Sequence, residues 1–406
     1  MKKKNLFGIP HNVRMLGWTS LLTDSGSEMI LPILPLFLKS ALGAPMIAIG
    51  IIEGVAEATA NFLRIGSGFF ADKFGKSKPL VFAGYAISAI AKPLLALVPT
   101  WHFVLGVRFS DRVGKGIRSA PRDSIVAAST PKKIYGKAYG YHRSMDTAGA
   151  IIGSGIAMVA MFWLVDKAGV VNWDGIRWVF AASAIPCLLA LVFISFVKEK
   201  KVPVEKTTGK KAVRSNPFSL PGSVWILMAG IAFWELGNIS YAFVLLRLSD
   251  LLGSVKYVPA IYFFFNIAYM LFAMPIGMLS DRLGVRNSLL LAPLLGVAAF
   301  LTLGTGDVTA TGAPGQWGIA VVGMIIFAMH SAAVNTVPRF AVARLAPPSA
   351  RGTTFGLVGA CGLLGNVLAG YLWTRFNSGS AMQVAGLLSL LSLIPFLILG
   401  KRAEGK

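Results

Sequence analysis

Long apolar runs, each bounded by glycine, proline or charged residues, follow one another along nearly the whole chain. A run of about 20 apolar residues is long enough to cross a bilayer as an α-helix, in which every backbone polar group is satisfied internally. Only 14% of the 406 residues are charged and the mean hydropathy is +0.67, whereas a soluble domain carries about 25% charged residues. The sequence therefore predicts an all-α membrane protein and leaves no room for a large soluble domain.

The apolar runs predict twelve transmembrane helices. Their predicted bounds are 13–38, 46–70, 79–99, 101–121, 136–165, 175–197, 220–248, 256–279, 287–304, 317–345, 350–375 and 382–400. Three lysines near the start resemble the basic region of a signal peptide. The run after them carries Asp24 and Glu28 and ends without a small-residue cleavage site, so we expect it to remain as the first helix.

The net charge of +22 is explained by where the basic residues lie between the helices, and it does not indicate a nucleic-acid partner. Lysine and arginine concentrate in alternate loops, which is typical of cytoplasmic loops in membrane proteins. The basic groups are Lys73 with Lys76 and Lys78, Lys132 with Lys133, the segment 198–214, Arg282 with Arg286, and Lys401 with Arg402. We expect both termini to be cytoplasmic, in a multi-pass protein of the cell (inner or plasma) membrane, most simply a monomer.

One long polar stretch, KEKKVPVEKTTGKKAVRSN, divides the predicted helices six and six. It predicts an N-terminal bundle over 1–197, a flexible, charged cytoplasmic linker over 198–217, and a C-terminal bundle over 218–406.

The two halves repeat each other. GFFADKFGKSKPL, beginning at Gly68, matches GMLSDRLGVRNSL, beginning at Gly277, at an offset of 209 residues. Pro131, Gly136, Gly140 and Gly149 match Pro347, Gly352, Gly356 and Gly365 at an offset of 216. Two similar offsets indicate the duplication of a six-helix unit.

These features together resemble the major facilitator superfamily of secondary transporters. The resemblance rests on the G-x-x-x-D-x-x-G-[KR] loop after helix 2, its copy after helix 8, the six-plus-six layout and the basic central loop. The segment RFSDRVGKGIRSAPRD, beginning at Arg108, also resembles a bacterial and archaeal subgroup with mostly unassigned substrates. GAIIGSG in helix 5 lacks the Gly-Pro pair of the antiporter signature, which speaks against drug–proton antiport.

The resemblance implies a gate at the repeated loop. Asp72 at the end of helix 2 would bond a neighbouring helix in one state of the transport cycle and thereby bias the equilibrium between states. Gly75 would permit the tight turn. The predicted gating residues are Gly68, Asp72, Gly75 and Lys76 in the first half and Asp281 and Gly284 in the second.

Ionisable residues inside the predicted spans are the candidate transport residues, because each costs about 2.5–3.5 kcal/mol to insert and must face protein or water. On helix 4 the charged residues fall within about 120° of arc and form one stripe. The stripe is Arg108, Asp111, Arg112, Lys115, Arg118 and Arg122. The resemblance implies that helices 1, 4, 7 and 10 line the central cavity, which places Arg108 and Arg112 beside the transport path. Arg118 and Arg122 are expected to meet lipid phosphate or to anchor the loop.

Acids in the other spans are candidate proton carriers. Asp24 and Glu28 share a face of helix 1. Two carboxylates at such a short distance in a low dielectric do not both ionise readily. The alternative is that they are held in structural pairs with Arg108 or Arg112. Glu53 and Glu57 share a face of helix 2. Glu235 lies on helix 7 and His330 on helix 10. We expect Asp146 mainly to pair with His142 or Arg143 in its own helix. The candidate coupling residues in these spans are Asp24, Glu28, Glu53, Glu57, Asp146, Glu235 and His330.

Other chemistries find no support in the sequence. FGKSK at Phe74 lacks the earlier glycine of a phosphate-binding loop, and there is no nucleophile–base pair, metal-ligand spacing or cofactor loop. Met270, Met274 and Met278 are read as a lipid-facing or packing stripe rather than a Cu(I) site. We therefore expect no enzyme activity, no metal and no cofactor.

The working hypothesis is a secondary transporter with alternating access and a site near mid-membrane between two bundles. Arg108, Arg112 and Lys115 would attract a small anionic or zwitterionic organic solute, while Asp24, Glu28 and Glu235 would carry protons. The alternatives are multidrug efflux, for which Trp234, Tyr241 and Phe265 could supply an apolar cavity, and a receptor or sensor that does not transport.

Overall fold

The computed structural model describes residues 9–74, 77–131, 134–198, 221–306, 312–345 and 362–403. The predicted all-α fold is confirmed in these ranges. The α-helices are α1 (His11–Ile30), α2 (Leu34–Ser40), α3 (Met46–Phe74), α4 (Lys78–Leu94), α5 (Trp101–Ser129), α6 (Tyr135–Leu164), α7 (Trp173–Ala182), α8 (Ala184–Ser195), α9 (Gly222–Gly237), α10 (Tyr241–Leu252), α11 (Val258–Thr305), α12 (Pro314–Leu345), α13 (Gly362–Arg375), α14 (Ser378–Ser389) and α15 (Leu393–Ala403).

Within the described ranges, ten helical segments are long and apolar enough to cross a membrane. Helix α5 has the length, with 29 residues, but its charged stripe keeps it outside that set. Helix α13 is described over only 14 residues, because the first part of the predicted span 350–375 lies outside the described residues. Both segments coincide with predicted spans, so the multi-pass character of the protein is confirmed.

Several predicted spans are interrupted, and the prediction of continuous helices is wrong there. The first span breaks at Leu31–Ile33, the sixth at Ser183 and the seventh at residues 238–240. Pro32 and Pro186 lack the amide hydrogen that a continuing helix needs at those points. At the break in the seventh span, Gly237 and Asn238 are weak helix formers.

Helix boundaries also differ at α5 and α11. Helix α5 continues through Pro121 to Ser129, past its predicted end. Helix α11 joins the eighth and ninth predicted spans across a kink at Gly284, whose φ of 74° and ψ of 177° lie in a region open essentially only to glycine.

The contacts divide the chain into two units. The first contains Met1–Ile33 and Thr59–Gly209, and the second contains Leu34–Ala58 and Lys210–Lys406. Helix α3 therefore contributes its first part to the second unit and its last part to the first. The predicted bundle boundaries stay a prediction, and the linker 198–217 lies outside the described residues except for Lys198.

In the first unit, α1 packs against α6 and α8, and α4 packs against α5. In the second unit, α11 packs against α12 and α14, while α9 packs against α13, α14 and α15. The core of the second unit includes the fully buried rings of Trp234 and Phe396. Small residues at the helix crossings decide which polar side chains can come together, as described next.

Candidate functional site

The crossing of α4 and α5 in the first unit depends on two glycines. A Cβ atom at Gly84 would lie 2.5 Å from the carbonyl oxygen of Gly114, and a Cβ atom at Gly114 would lie 2.5 Å from the carbonyl oxygen of Gly84. The backbones can approach this closely only without side chains there. As a result, the charged stripe of α5 lies directly beside α4.

Arg118 is buried in this crossing. Its Nη1 donates to the hydroxyl oxygen of Ser88 at 2.6 Å, and its guanidinium lies 4.5 Å from the centre of the Tyr85 ring. Only 6% of the residue is exposed. The expectation that Arg118 meets lipid phosphate is therefore wrong: this arginine ties α5 to α4.

Asp111, Lys92 and Arg112 form the most buried ionic group of the first unit. Oδ1 of Asp111 lies 3.9 Å from Nζ of Lys92, and its Oδ2 lies 3.9 Å from Nε of Arg112. Lys92 is 3% exposed and also contacts the carbonyl oxygen of Thr23 at 3.4 Å and the Sγ of Cys187 at 3.6 Å. Asp111 thus holds two cations inside the helix bundle.

Several basic side chains surround Asp111. Four cations interact electrostatically with this one carboxylate: Lys92, Arg108, Arg112 and Arg118. Arg108 is 8% exposed, whereas Lys115, further along the stripe, is exposed. The stripe therefore combines buried cations with an accessible one at Lys115.

A second ionic group in the first unit joins α1, α5 and α6. Asp24 interacts with Asp146 of α6 and with Lys115, Arg118 and Arg122 of α5. Asp146 lies 3.4 Å from Nδ1 of His142 and 3.9 Å from Nη1 of Arg143, as their spacing predicts. Asp24 and Asp146 are therefore neighbours in a group that also contains basic residues of the stripe.

Glycines place α1 against α6 at this group. A Cβ atom at Gly149 or Gly153 would collide with the carbonyl oxygen of Leu21 or Ser25. Glu28 lies at the same crossing, because a Cβ atom at Gly153 would lie 2.8 Å from that of Glu28. Glu28 is half-buried there.

In the second unit, the break between α9 and α10 carries a polar network. Nδ2 of Asn238 donates to Oε2 of Glu235 at 3.0 Å, and Oδ1 of Asn238 lies 3.2 Å from Nε2 of His330. The other ring nitrogen of His330, Nδ1, lies 3.2 Å from the carbonyl oxygen of Ala292. We call Glu235, Asn238 and His330 the trio.

The trio exists because the backbone changes direction at Asn238. Helix α9 ends at Gly237, and Asn238 adopts φ −86° and ψ 96°. Discontinuous helices of this kind often provide binding sites in transporters. Glu235 and Asn238 are half-buried, while His330 is only 1% exposed.

Two polar atoms next to the trio have no hydrogen-bond partner in the part of the chain that the structure describes. They are Nε1 of Trp234 and Oγ of Ser240. The Trp234 ring centre lies 6.0 Å from that of His330. A buried polar atom without a partner costs about 1–3 kcal/mol, so this break has hydrogen-bonding capacity for water or a solute.

Aromatic side chains adjoin the trio. The ring of Tyr241 packs 5.5–6.1 Å from those of Tyr262, Phe265 and Phe327. Phe327 in turn lies 6.1 Å from His330. The second unit therefore combines a packed aromatic cluster with a carboxylate at one helix break.

Glu53 and Glu57 lie on the part of α3 that belongs to the second unit. Glu53 is half-buried and Glu57 is exposed. Glu57 is close enough to Glu235 for the two carboxylates to repel each other.

The structure also identifies charged residues that the sequence analysis missed. Besides Lys92, these include Arg247, which is fully buried. Its Nε donates to the carbonyl oxygen of Leu303 at 2.9 Å, and its Nη1 donates to Oγ of Ser378 at 2.9 Å. Lys92 and Arg247 could have been found by counting cations as well as acids inside the apolar runs, since both types are costly in lipid.

The predicted gating residues are only partly described. Gly75 and Lys76 lie outside the described residues. Gly68 and Asp72 fall in α3 and Asp281 in α11, where the structure describes the backbone alone. Gly284 is described and forms the kink of α11. Among the described residues, no group of three or more His, Cys, Asp or Glu side chains could hold a metal ion.

The sequence and the fold were compared with those of known proteins. The family model of the Major Facilitator Superfamily matches residues 16–253 and 225–406. An uncharacterized MFS-type transporter of Methanocaldococcus jannaschii is 33% identical over 405 residues, which cover 93% of this chain and 94% of that protein. The multidrug resistance protein MdtH of Proteus mirabilis is 28% identical over 178 residues, or 42% of this chain and 43% of MdtH. A crystal structure of the nucleoside transporter NupG matches the fold with a TM-score of 0.78 at 15% identity, covering 96% of this chain and 99% of NupG.

Proposed function

The chain belongs to the major facilitator superfamily and is a multi-pass membrane transporter, and we propose that it moves a small anionic or zwitterionic organic solute in exchange or symport with protons. Access would alternate between the two sides of the membrane. The Arg108–Asp123 segment would place it in the subgroup that carries this helix-4 motif.

The clustering of basic side chains around Asp111 is the observation that carries this proposal. Lys92, Arg108, Arg112 and Arg118 all interact electrostatically with this carboxylate in the first unit. A basic stripe of this kind attracts negatively charged groups, which favours an anionic or zwitterionic solute. We assign solute attraction to Arg108, Arg112 and Lys115, and we assign to Asp111 the role of holding Lys92 and Arg112 in place.

Proton coupling is proposed from the carboxylates in the spans. Asp24 lies beside Asp146, and Glu235 lies beside Glu57. Carboxyl groups inside membrane spans are typical of proton relays in pumps and transporters. Glu28 and Glu53 are half-buried on the same helices and complete the set of candidate carriers.

Proton flux into proteoliposomes tests the proposal. Candidate solutes would first be screened by thermal shift, because a ligand of the folded protein raises its apparent stability. We expect Arg112→Ala and Glu28→Gln each to reduce solute-dependent proton flux by about tenfold or more, the effect of losing a hydrogen bond to a charged group. Arg375→Ala is the control, since Arg375 is exposed at the end of α13. Unchanged flux in both variants would contradict the proposal.

Multidrug efflux is the second candidate function. The aromatic cluster around Tyr241 and the local similarity to MdtH favour it. Efflux assays with lipophilic cations separate the two functions, because a basic stripe repels cations. Solute binding without any translocation would instead favour a receptor.

We also propose a membrane topology and a gate. Alternate basic loops support cytoplasmic termini, which reporter fusions at each end would test. We propose that Asp72 acts as a gate at the loop containing Gly75 and Lys76, with Asp281 and Gly284 as its counterpart in the second half. The simplest assembly is a monomer, which mass measurement of the detergent-solubilised protein would check.

A further inference from the structure

Both ring nitrogens of His330 face hydrogen-bond acceptors. Nδ1 lies 3.2 Å from the carbonyl oxygen of Ala292, and Nε2 lies 3.2 Å from Oδ1 of Asn238. A neutral imidazole has one N–H and can donate to only one of them, whereas the imidazolium donates to both. With the Asn238 amide in this orientation, the network is fully satisfied only when His330 carries two protons.

The same network is also satisfied in a second arrangement. If the Asn238 amide turns by half a turn, its Nδ2 donates to Nε2 of a neutral His330, whose Nδ1–H still donates to Ala292. Oδ1 of Asn238 then faces Glu235, which must be protonated in order to donate to it. Amide orientation is assigned from hydrogen bonding rather than seen directly, and the geometry suits both orientations because Asn238 lies between two titratable groups.

We propose that Glu235, Asn238 and His330 together form one proton-binding site, in which the orientation of the Asn238 amide selects whether Glu235 or His330 holds the exchangeable proton. In one state Glu235 is a carboxylate and His330 an imidazolium; in the other, Glu235 is a carboxylic acid and His330 is neutral. One proton leaves Nε2 of His330 for solvent and one is taken up by Glu235 from solvent, so the net charge of the trio is zero in both states. This proposal rests on the proposed function for its physiological meaning, since it names the site of the coupling proton.

Burial gives the site a direction. Glu235 and Asn238 are half-buried, and His330 is 1% exposed. Glu235 is therefore the end of the site that is more accessible to water, and His330 is the more enclosed end. Around His330, α11 supplies the carbonyl of Ala292 and the ring of Phe300, whose centre lies 5.6 Å from that of the imidazole.

Among the residues that the structure describes, Glu57 of α3 is the titratable group that acts on Glu235 from another helix. Its negative charge acts on Glu235 first, because Asn238 separates Glu235 from His330. If the trio loses its exchangeable proton, Glu235 is a carboxylate and His330 is neutral. Each then needs the Asn238 amide to donate to it. A single orientation of the amide cannot do both, so one hydrogen bond is lost.

The test is a pH titration of His330 by NMR on the purified full-length protein with ¹³C,¹⁵N-labelled histidine. The chain contains four histidines, and the His330→Gln variant assigns the signal. We expect the neutral form to be the Nδ1–H tautomer, which ¹⁵N shifts distinguish. We expect Glu235→Gln to move the titration midpoint of His330 to lower pH by about one unit, the size of a charge interaction over several ångströms of protein.

Asn238→Leu supplies the decisive comparison. Without the amide, the midpoint of His330 should respond to Glu235→Gln by less than a third of the shift seen in its presence. Asn335→Leu is the matched control, because Asn335 lies on α12 and its amide donates to the carbonyl of Ser331 in the same helix. The full shift should persist in that background. If Asn238→Leu does not fold, Asn238→Ala removes the same amide and is read in the same way.

The outcomes separate this inference from the proposed function, because the titration needs neither solute nor transport. An unchanged midpoint in Glu235→Gln, a shift that survives Asn238→Leu, or a neutral Nε2–H tautomer would each overturn the inference. A coupled titration in a protein that gives no solute-dependent proton flux would leave the trio intact and refute the transport proposal.

Discussion

Removal of Asp111 should destabilise the protein more than removal of its partner Lys92. The two charges are 3.9 Å apart and nearly sealed from solvent, with side-chain exposures of 11% and 4%. At an effective dielectric constant of about 20, their attraction is about 4 kcal/mol. In the part of the chain that the structure describes, Asp111 is the one carboxylate within 4.0 Å of Lys92, whereas Asp111 also contacts Arg112.

This asymmetry sets the expected free energies of unfolding. Asp111→Asn leaves Lys92 as a buried cation beside a carbonyl and a thiol, which should cost about 3–5 kcal/mol. Lys92→Met leaves Asp111 with Arg112, and the cost should be about half as large. The double variant no longer buries the charge of Lys92, although Arg112 loses its contact with Asp111, so it should cost about 2 kcal/mol. The coupling energy in the double-mutant cycle is then about 4 kcal/mol.

Cys187 gives a local assay for these variants. The thiol is 2% exposed and lies 3.6 Å from Nζ of Lys92. In a Cys361→Ser background it is the only thiol, because the chain has two cysteines, so a thiol-reactive dye reports when this region opens. At about 2 °C per kcal/mol for a chain of this size, Asp111→Asn should lower the midpoint by about 8 °C.

The ion pair between Lys39 and Asp250 in the second unit is the control. Its atoms are closer, at 3.1 Å, but its side chains are 35% and 23% exposed. A solvated pair should couple by only about 0.2–1 kcal/mol. Equal coupling in the two cycles, or additive costs for Lys92→Met and Asp111→Asn, would refute the argument that burial determines the strength of the first pair.

Three further predictions concern the packing. Gly149→Ala should destabilise the crossing of α6 with α1 by about 1–3 kcal/mol, whereas Gly140→Ala on the same helix meets nothing within 4 Å and should be neutral or stabilising in thermal unfolding. Gly284→Ala should cost about 1–3 kcal/mol because φ is +74°, while Gly277→Ala, whose nearest neighbour is 3.9 Å away, should not; denaturation in mild detergent compares them. Met274→Leu should leave thermal stability and response to Cu(I) unchanged, because Met274 is 71% exposed on a surface suited to lipid.

The sequence predicts the helices well because a bilayer imposes length and polarity on every span. The interruptions were harder to predict. Pro32 and Pro186 are visible signals, but Asn238–Ser240 breaks a span that is otherwise apolar, and only the packed structure shows that this break brings Glu235 to His330. Local propensity is a weak guide where tertiary contacts decide.

The sequence predicts an ionic contact within one helix, but it does not predict which residue of another helix an acid will contact. The spacing of His142 and Asp146 identifies a contact within one helix, and the structure has it. The partner of Asp111 is on another helix, and the approach of α4 to α5 depends on Gly84 and Gly114, which a single sequence does not pair. The fate of Arg118, buried rather than at the lipid headgroups, has the same cause.

The internal repeat indicates that the charged stripe is not needed for helix packing. Trp101 near the start of α5 and Trp317 near the start of α12 stand 216 residues apart, the offset that also relates the loops. At that offset, Arg108, Asp111 and Arg112 correspond to the buried apolar residues Met324, Phe327 and Ala328.

A helix in this position therefore packs without the stripe, and folding alone does not require those charges. The cost of removing one partner includes the buried charge left behind, whereas removing both partners leaves neutral side chains at the two positions. We accordingly expect the Lys92→Met/Asp111→Asn double variant to be more stable than Asp111→Asn and still to lose solute-dependent proton flux in proteoliposomes. If flux recovered together with stability, the stripe would be a packing feature and the proposed role of its cations would fail.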